Sequence, residues 1–200
     1  MLYNFLKVIV RGIIYPLFRV EIHGKENIPS QGDFVLCGNH WSNWDPVLLA
    51  GALDSPIYFM AKKELFTFKP LAKFLSTLHA FPVDREKMDL KSLRHAVSLI
   101  DEGKILGIFP EGKRVYSMDR SNMKDGAGYV ALKAKVDVVP VEIISQYKLF
   151  RKTHIYIKKP LMIEDYSKYK RKEGMERLMD DTFKVIYEHR VALNSANNEK

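Results

Sequence analysis

The sequence predicts an α/β fold: a mostly parallel or mixed central sheet covered by helices, preceded by an N-terminal amphipathic helix suited to a membrane interface. Three observations carry this. Apolar runs alternate along the chain with stretches of helical periodicity. Runs such as FVLC and VVPV are apolar on both faces, as in strands covered on two sides. The polar motifs fall where strands end and loops begin, which is where open α/β sheets keep their chemistry.

The elements follow in order. Residues 1–20 (MLYNFLKVIVRGIIYPLFRV) place Asn4, Lys7 and Arg11 at helical spacing in a narrow polar stripe, with apolar side chains around the rest. The longest uncharged run, GIIYPLF, is far shorter than the ~20 residues of a spanning helix. Lys7 and Arg11 also argue against a signal peptide. So wide an apolar arc suits a helix lying in the plane of a membrane interface; packing of that arc on the domain or a partner subunit is the alternative.

Next come a strand at residues 19–24 (RVEIHG), a turn at 26–33 rich in Pro, Ser and Gly, and a strand at 34–38 (FVLCG). Asp45 and Pro46 start a helix, with Asp45 as N-cap and Pro46 in the first turn. A strand at 56–61 and a short helix at 69–78 lead to a strand at 80–83 (AFPV). Leu90, Leu93, Val97 and Ile100 mark a helix over 86–102, closed by Gly103. A strand over 104–109, a helix over 126–135 and strands over 136–143 and 154–159 follow. Met175, Leu178, Met179, Phe183, Ile186 and Tyr187 mark a last helix. The chain divides into a membrane-associating helix over 1–19, an α/β domain over 20–192 and a disordered tail over 193–200, where no large apolar side chain occurs.

The chain has 200 residues and a net charge of +8, which favours an anionic partner. No zinc-finger spacing and no basic run interleaved with aromatics exists, so nucleic acid is not expected. A single cysteine, Cys37, forbids an internal disulfide and fits a reducing compartment. Ending an apolar strand, Cys37 reads as a core thiol rather than a nucleophile.

Two motifs are decoys. Residues 107–114 (GIFPEGKR) have phosphate-loop spacing but place Arg114 where Ser or Thr is needed, and Gly107 lies inside a strand. Residues 126–131 (GAGYVA) resemble a dinucleotide fingerprint but follow a polar loop rather than a strand, so close helix packing explains the glycines better.

GNHWSNWDPVLL, residues 38–49, is more informative. His40 follows a strand and Asp45 opens the next helix, so their side chains can meet across a tight turn. An imidazole is poised to take a proton near neutral pH, and a carboxylate on its other nitrogen would fix the tautomer. The bland reading is a capped turn. Arg85 lies just past one strand end, and Glu111, Lys113 and Arg114 just past another. Arginine grips phosphate bidentately, so a base beside an anion clamp points to a phosphorylated substrate with a hydroxyl to deprotonate. Surface ion pairs are the alternative for each cation taken singly.

In their order, NHWSNWD, FPVDR, FPEGKR and VVPVEI resemble the four motifs of the glycerolipid acyltransferases, especially the 1-acylglycerol-3-phosphate type, with AKKELF between them. The resemblance covers roughly residues 20–145. It implies His40 and Asp45 as the catalytic pair, and Arg85, Glu111, Gly112, Lys113 and Arg114 as the binding residues for the acceptor's phosphate and glycerol. Pro140 marks the fourth motif. The implied reaction moves an acyl group from acyl-CoA or acyl carrier protein, as co-substrate, to the sn-2 hydroxyl of lysophosphatidic acid, with no cofactor or metal. The implied partners are a lysophospholipid, the acyl carrier and a phospholipid surface at the cytoplasmic face of the membrane. Another acceptor (glycerol-3-phosphate, a different lysophospholipid, an aminolipid) and a non-catalytic lipid-binding role are the rival readings. Lys113, Arg114 and Val115 replace the family's usual Thr-Arg-Ser. His79 and Ala72 stand where glycine is common, and these departures are expected to border the acceptor.

Overall fold

The computed structural model describes residues 2–30, 33–84 and 89–192. Arg85, the start of the helix expected at 86, and the expected disordered tail at 193–200 lie outside the described residues.

Seven strands form one sheet in the order β1-β7-β6-β2-β5-β3-β4. They are Val20–His23 (β1), Val35–Gly38 (β2), Ile57–Lys62 (β3), Ala80–Val83 (β4), Ile105–Ile108 (β5), Val138–Ser145 (β6) and Thr153–Ile157 (β7). All neighbours pair in parallel except β6 and β7. The exception follows from loop length. Residues 146–152 are too few for a parallel crossover, which needs about a dozen or more, so the chain turns straight back. The expected mixed sheet is therefore present.

Helices cover both faces: Leu2–Ile9 (α1), Tyr15–Leu17 (α2), Asp45–Ala52 (α3), Lys69–Thr77 (α4), Leu90–Asp101 (α5), Gly126–Ala134 (α6), Ile163–Ser167 (α7) and Arg171–Ile186 (α8). Leu48 and Leu49 of α3 pack with Leu36, Val139 and Ile143 on one face. Ala96 and Ile100 of α5, Val130 of α6 and Leu178 and Met179 of α8 pack with Val35, Leu106 and Val138 on the other. Gly128 permits the α6–α8 approach, since a Cβ there would lie 3.0 Å from Met175 Cγ and 3.1 Å from Met179 Cγ. That is the packing reading of GAGYVA. Cys37 is fully buried, and burial pushes its thiol well above the ordinary range.

Some boundaries differ from expectation. Helix α5 is capped by Asp89, whose carboxylate accepts from Ser92 N at 3.0 Å, and Leu90 is 46% exposed. Ser92, Ala96, Leu99 and Ile100 form its buried face instead. Helix α7 was not foreseen; at five residues it is too short to show a period. His79, at the foot of β4, does not border the site-bearing end of the sheet. Register makes Leu36 level with Gly107, Gly107 with Phe59, and Phe59 with Ala80, so His79 sits at the opposite end from His40. Its φ of +60° is a left-handed backbone that favours glycine and is strained for other residues. The ring, packed against Tyr3 at 5.0 Å and Tyr58 at 4.6 Å, offsets that strain.

The chain is helical from Leu2 to Leu17, with a π-helical turn over Val10–Ile14. The wide turn fits Pro16, which lacks an amide proton and would crowd the carbonyl four residues back in a regular helix. The two cations of the polar stripe turn to the domain, while Asn4 is exposed. Lys7 Nζ donates to Leu53 O at 3.3 Å and to Asp54 O. Arg11 donates to Gly51 O at 2.8 Å, Leu53 O at 3.0 Å and Asp54 Oδ1 at 2.7 Å. Two cations thus satisfy the free carbonyls that end α3. Leu2, Phe5, Val8 and Ile13 point outward at 43%, 61%, 69% and 54% exposure. Packing of the whole apolar arc on the domain is excluded.

Replacing Arg11 with Ala is expected to lose about 1 kcal/mol, since the exposed ion pair adds little to the carbonyl hydrogen bonds. Thermal unfolding, together with faster chymotryptic cleavage at the buried Phe18, would register the loosened segment.

Candidate active site

Strand β2 delivers His40 to the C-terminal edge of the sheet. Asn39 pins the exit: its side chain donates to Ile143 O at 3.1 Å and accepts from Ile143 N at 2.7 Å, extending the β2–β6 ladder by one rung. His40 is 8% exposed, its carbonyl accepts from Val115 N at 2.9 Å, and its ring stacks on Phe109 at 4.4 Å. Phe109 packs against the imidazole, and Val115 ties down the backbone that carries it.

His40 Nδ1 lies 3.1 Å from Asp45 Oδ2. A carboxylate only accepts, so Nδ1 carries the proton and Nε2 presents its lone pair. The same Oδ2 accepts from Trp41 N and Ser42 N, both at 2.7 Å, and Oδ1 accepts from Tyr147 OH at 2.6 Å. Asp45 is fully buried. Its capping role is a correction: Trp44 holds the N-cap position, Asp45 is the first residue of α3, and its carboxylate turns back to the preceding loop. Those two loop amides precede the helix, so the carboxylate serves the turn that carries His40. Pro46 does lie in the first turn of α3.

The loop after β5 runs beside His40. Gly112 has φ +65°, a left-handed turn that glycine adopts freely, and its amide donates to Phe109 O at 2.9 Å. Glu111 is 2% exposed, and its Oε1 accepts from Tyr187 OH at 2.7 Å. Burial raises the Glu111 pKa, with the Tyr187 hydroxyl and the nearby His40 partly opposing the shift. Lys113 and Arg114 are exposed on the same loop. The structure therefore gathers His40, Asp45, Glu111 and Gly112 closely, and leaves Lys113 and Arg114 on the rim. Arg85 lies outside the described residues; Asp84, just before it, follows β4 at this same edge and pairs with Lys63 at 2.5 Å. Pro140 sits within β6, level with Cys37 of β2.

The sequence reading missed three supporting residues. Tyr147 holds Asp45; burial, then the carboxylate itself, push its hydroxyl far above the ordinary range, so it remains a donor. Tyr187 holds Glu111 in the same way. Arg190 lays its guanidinium 3.6 Å from the Trp41 ring centroid and donates to Ile143 O at 2.5 Å. All three are distant in sequence from the residues they hold, and no local pattern marks them. The two tryptophans also gain places: Trp41 lies under Arg190, and Trp44 packs against Phe18 at 5.3 Å.

Phe109 also borders a cavity of about 400 Å³, lined by Met60, Val83, Leu93, Ile108 and Met175, with Asp84 and Lys124 among its polar groups. That volume is ordinary for a ligand cleft, ~300–1,000 Å³. A fixed imidazole, a polar loop and an apolar cavity thus share one edge of the sheet.

The chain belongs to the Acyltransferase family, whose model matches residues 19–144. Among particular relatives, the 1-acyl-sn-glycerol-3-phosphate acyltransferase of Bacillus subtilis is 36% identical over 186 residues, 88% of this chain and 89% of that one. The Streptococcus pneumoniae protein of the same name is 31% identical over 145 residues, 70% of this chain and 53% of that one, so this chain spans about half its length. The crystal structure of the 1-acyl-sn-glycerophosphate (LPA) acyltransferase PlsC from Thermotoga maritima matches with TM-score 0.70 and 25% identity, covering 94% of this chain and 79% of that one.

Tyr147 is a positioning residue. Tyr147→Phe removes one charge-assisted hydrogen bond of about 1.5–3 kcal/mol. Turnover is expected to fall about tenfold or more with KM little changed, the outcome if His40 is the base whose imidazolium Asp45 steadies.

Proposed function

We propose that this protein transfers an acyl group from a thioester to the free sn-2 hydroxyl of lysophosphatidic acid, giving phosphatidic acid. The family and its relatives support O-acylation of a lysophosphatidic acid acceptor. The observation that carries the mechanism is the His40–Asp45 pair, with Nε2 left as a proton acceptor and with Phe109 shared between the His40 ring and an apolar cavity.

His40 Nε2 takes the acceptor's hydroxyl proton as the oxygen attacks the thioester carbonyl. The C–S bond of the tetrahedral intermediate then breaks, and the imidazolium returns the proton to the leaving thiolate. The products are an ester and a free thiol, and no acyl-enzyme forms. Asp45 fixes the tautomer and stabilises the imidazolium. Arg85, Lys113 and Arg114 supply positive charge for the phosphate, and the Gly112 turn lets the backbone approach. Glu111 acts from behind, tying the loop to Tyr187. The donor's acyl chain occupies the apolar cavity. Acyl-CoA and acyl carrier protein are both acidic and both suit a chain of net charge +8.

Among the described residues no helix is long and apolar enough to cross a membrane. The outward Leu2, Phe5, Val8 and Ile13 give the N-terminal segment an apolar face for the interface. With the cations turned to α3, that face is left to lipid, which brings the site to headgroup level.

His40→Ala is expected to lower acyl transfer by ~10²–10⁴-fold with the fold intact. Assays should pair a panel of lysophospholipids and glycerol-3-phosphate with acyl-CoA and with acyl carrier protein; near-normal transfer by the variant would sink the mechanism. A second test replaces Phe5, Val8 and Ile13 with Glu. These side chains are exposed, so the melting temperature should hold while co-sedimentation with anionic vesicles is lost. Unchanged co-sedimentation would exclude the interfacial helix.

A further inference from the structure

At the sheet edge remote from β4, β1 and β7 pair in parallel, with Glu21 opposite His154 and His23 opposite Tyr156. Side chains two apart on a strand share a face. Glu21, His23 and His154 therefore converge on the face that carries α8. His23 Nε2 lies 3.2 Å from His154 Nδ1, and His154 Nδ1 lies 3.4 Å from Glu21 Oε2. One donor atom from each of the three falls within 4.8 Å of the others. We propose that Glu21, His23 and His154 form a binding site for a divalent first-row transition ion, zinc above all.

The spacing fits the ion. Tetrahedral ligands ~2.0–2.1 Å from zinc stand about 3.3 Å apart, close to the two shorter separations found here. Two imidazoles and a carboxylate suit zinc, cobalt or nickel rather than magnesium or calcium, which prefer all-oxygen shells. The rings are held in place before any ion arrives: His23 stacks on Tyr156 at 4.6 Å, and Tyr156 on His189 at 3.9 Å. Lys152 pairs with Glu21 Oε1 at 2.8 Å, which leaves Oε2 to the ion. His23 is exposed, so water can fill the fourth position.

The site is structural. It lies three strands from β2, about 14 Å at ~4.8 Å per strand. Among the described residues strand β1 has β7 as its one partner, and it directly follows the N-terminal helical segment. A bound ion would clamp that edge strand to β7 and steady the root of the helix.

The test uses the full chain free of any purification tag and stripped with chelator. Zinc chloride titrated by calorimetry should bind once per chain and raise the melting temperature, and cobalt chloride should give visible tetrahedral absorption. His23→Asn with His154→Asn should weaken zinc binding at least tenfold and abolish the cobalt bands. Its metal-free melting temperature and acyl transfer should match the parent protein, which separates this site from His40. Lys152→Met should keep or tighten binding. No zinc binding by the parent chain, or unchanged binding by the double variant, would overturn the proposal.

Discussion

A fully buried carboxylate organises the working edge of this protein. Removing Asp45 from water carries a penalty of several kcal/mol unless its lone pairs are filled. Four donors fill them: two amides of the preceding loop, the His40 ring and the Tyr147 hydroxyl. The loop cannot relax without stranding that charge, so the geometry proposed for proton transfer is also one that the fold holds in place. Stability and chemistry draw on the same four hydrogen bonds.

A second buried carboxylate seats the C-terminal helix. Glu142 accepts from the amides of His189 and Arg190, both at 3.2 Å, and lies 3.7 Å from Lys158. With α8 anchored there, Tyr187 reaches Glu111 and Arg190 reaches Trp41. The antiparallel turn between β6 and β7 makes this possible. It places Tyr147 on the return loop above Asp45 and brings β7 back alongside β6, where Glu142 and Lys158 meet.

Much of the sheet was legible in the sequence because central strands covered on both faces read as plain apolar runs, as FVLC and VVPV do. His40 and Asp45 were legible because only four residues separate them across one turn, and the FPEG loop because it directly follows a strand. Tyr147, Tyr187 and Arg190 were not, since each acts across a long loop in sequence and ordinary periodicity explains it equally well. Asp45 was misread as a helix cap because a residue's type does not reveal which way its side chain turns. The polar stripe of α1 was read correctly as a stripe, but its direction depends on the carbonyls at the end of α3, which only the tertiary structure brings near. Likewise His23 and His154, 131 positions apart, become neighbours only through strand register.

The family model matches residues 19–144, whereas Tyr147, Tyr187 and Arg190 lie beyond it. The matched stretch carries the residues proposed to react, and the stretch after it carries side chains that hold them. These duties can evolve at different rates. Another chain could keep the His40–Asp45 spacing and FPEG while bracing them with different residues from its own C-terminal part. Such enzymes would share chemistry but differ in how firmly they hold it, and so in the temperature at which they work best. A boundary drawn around the motifs alone would thus enclose the reaction and omit the frame that makes it reliable.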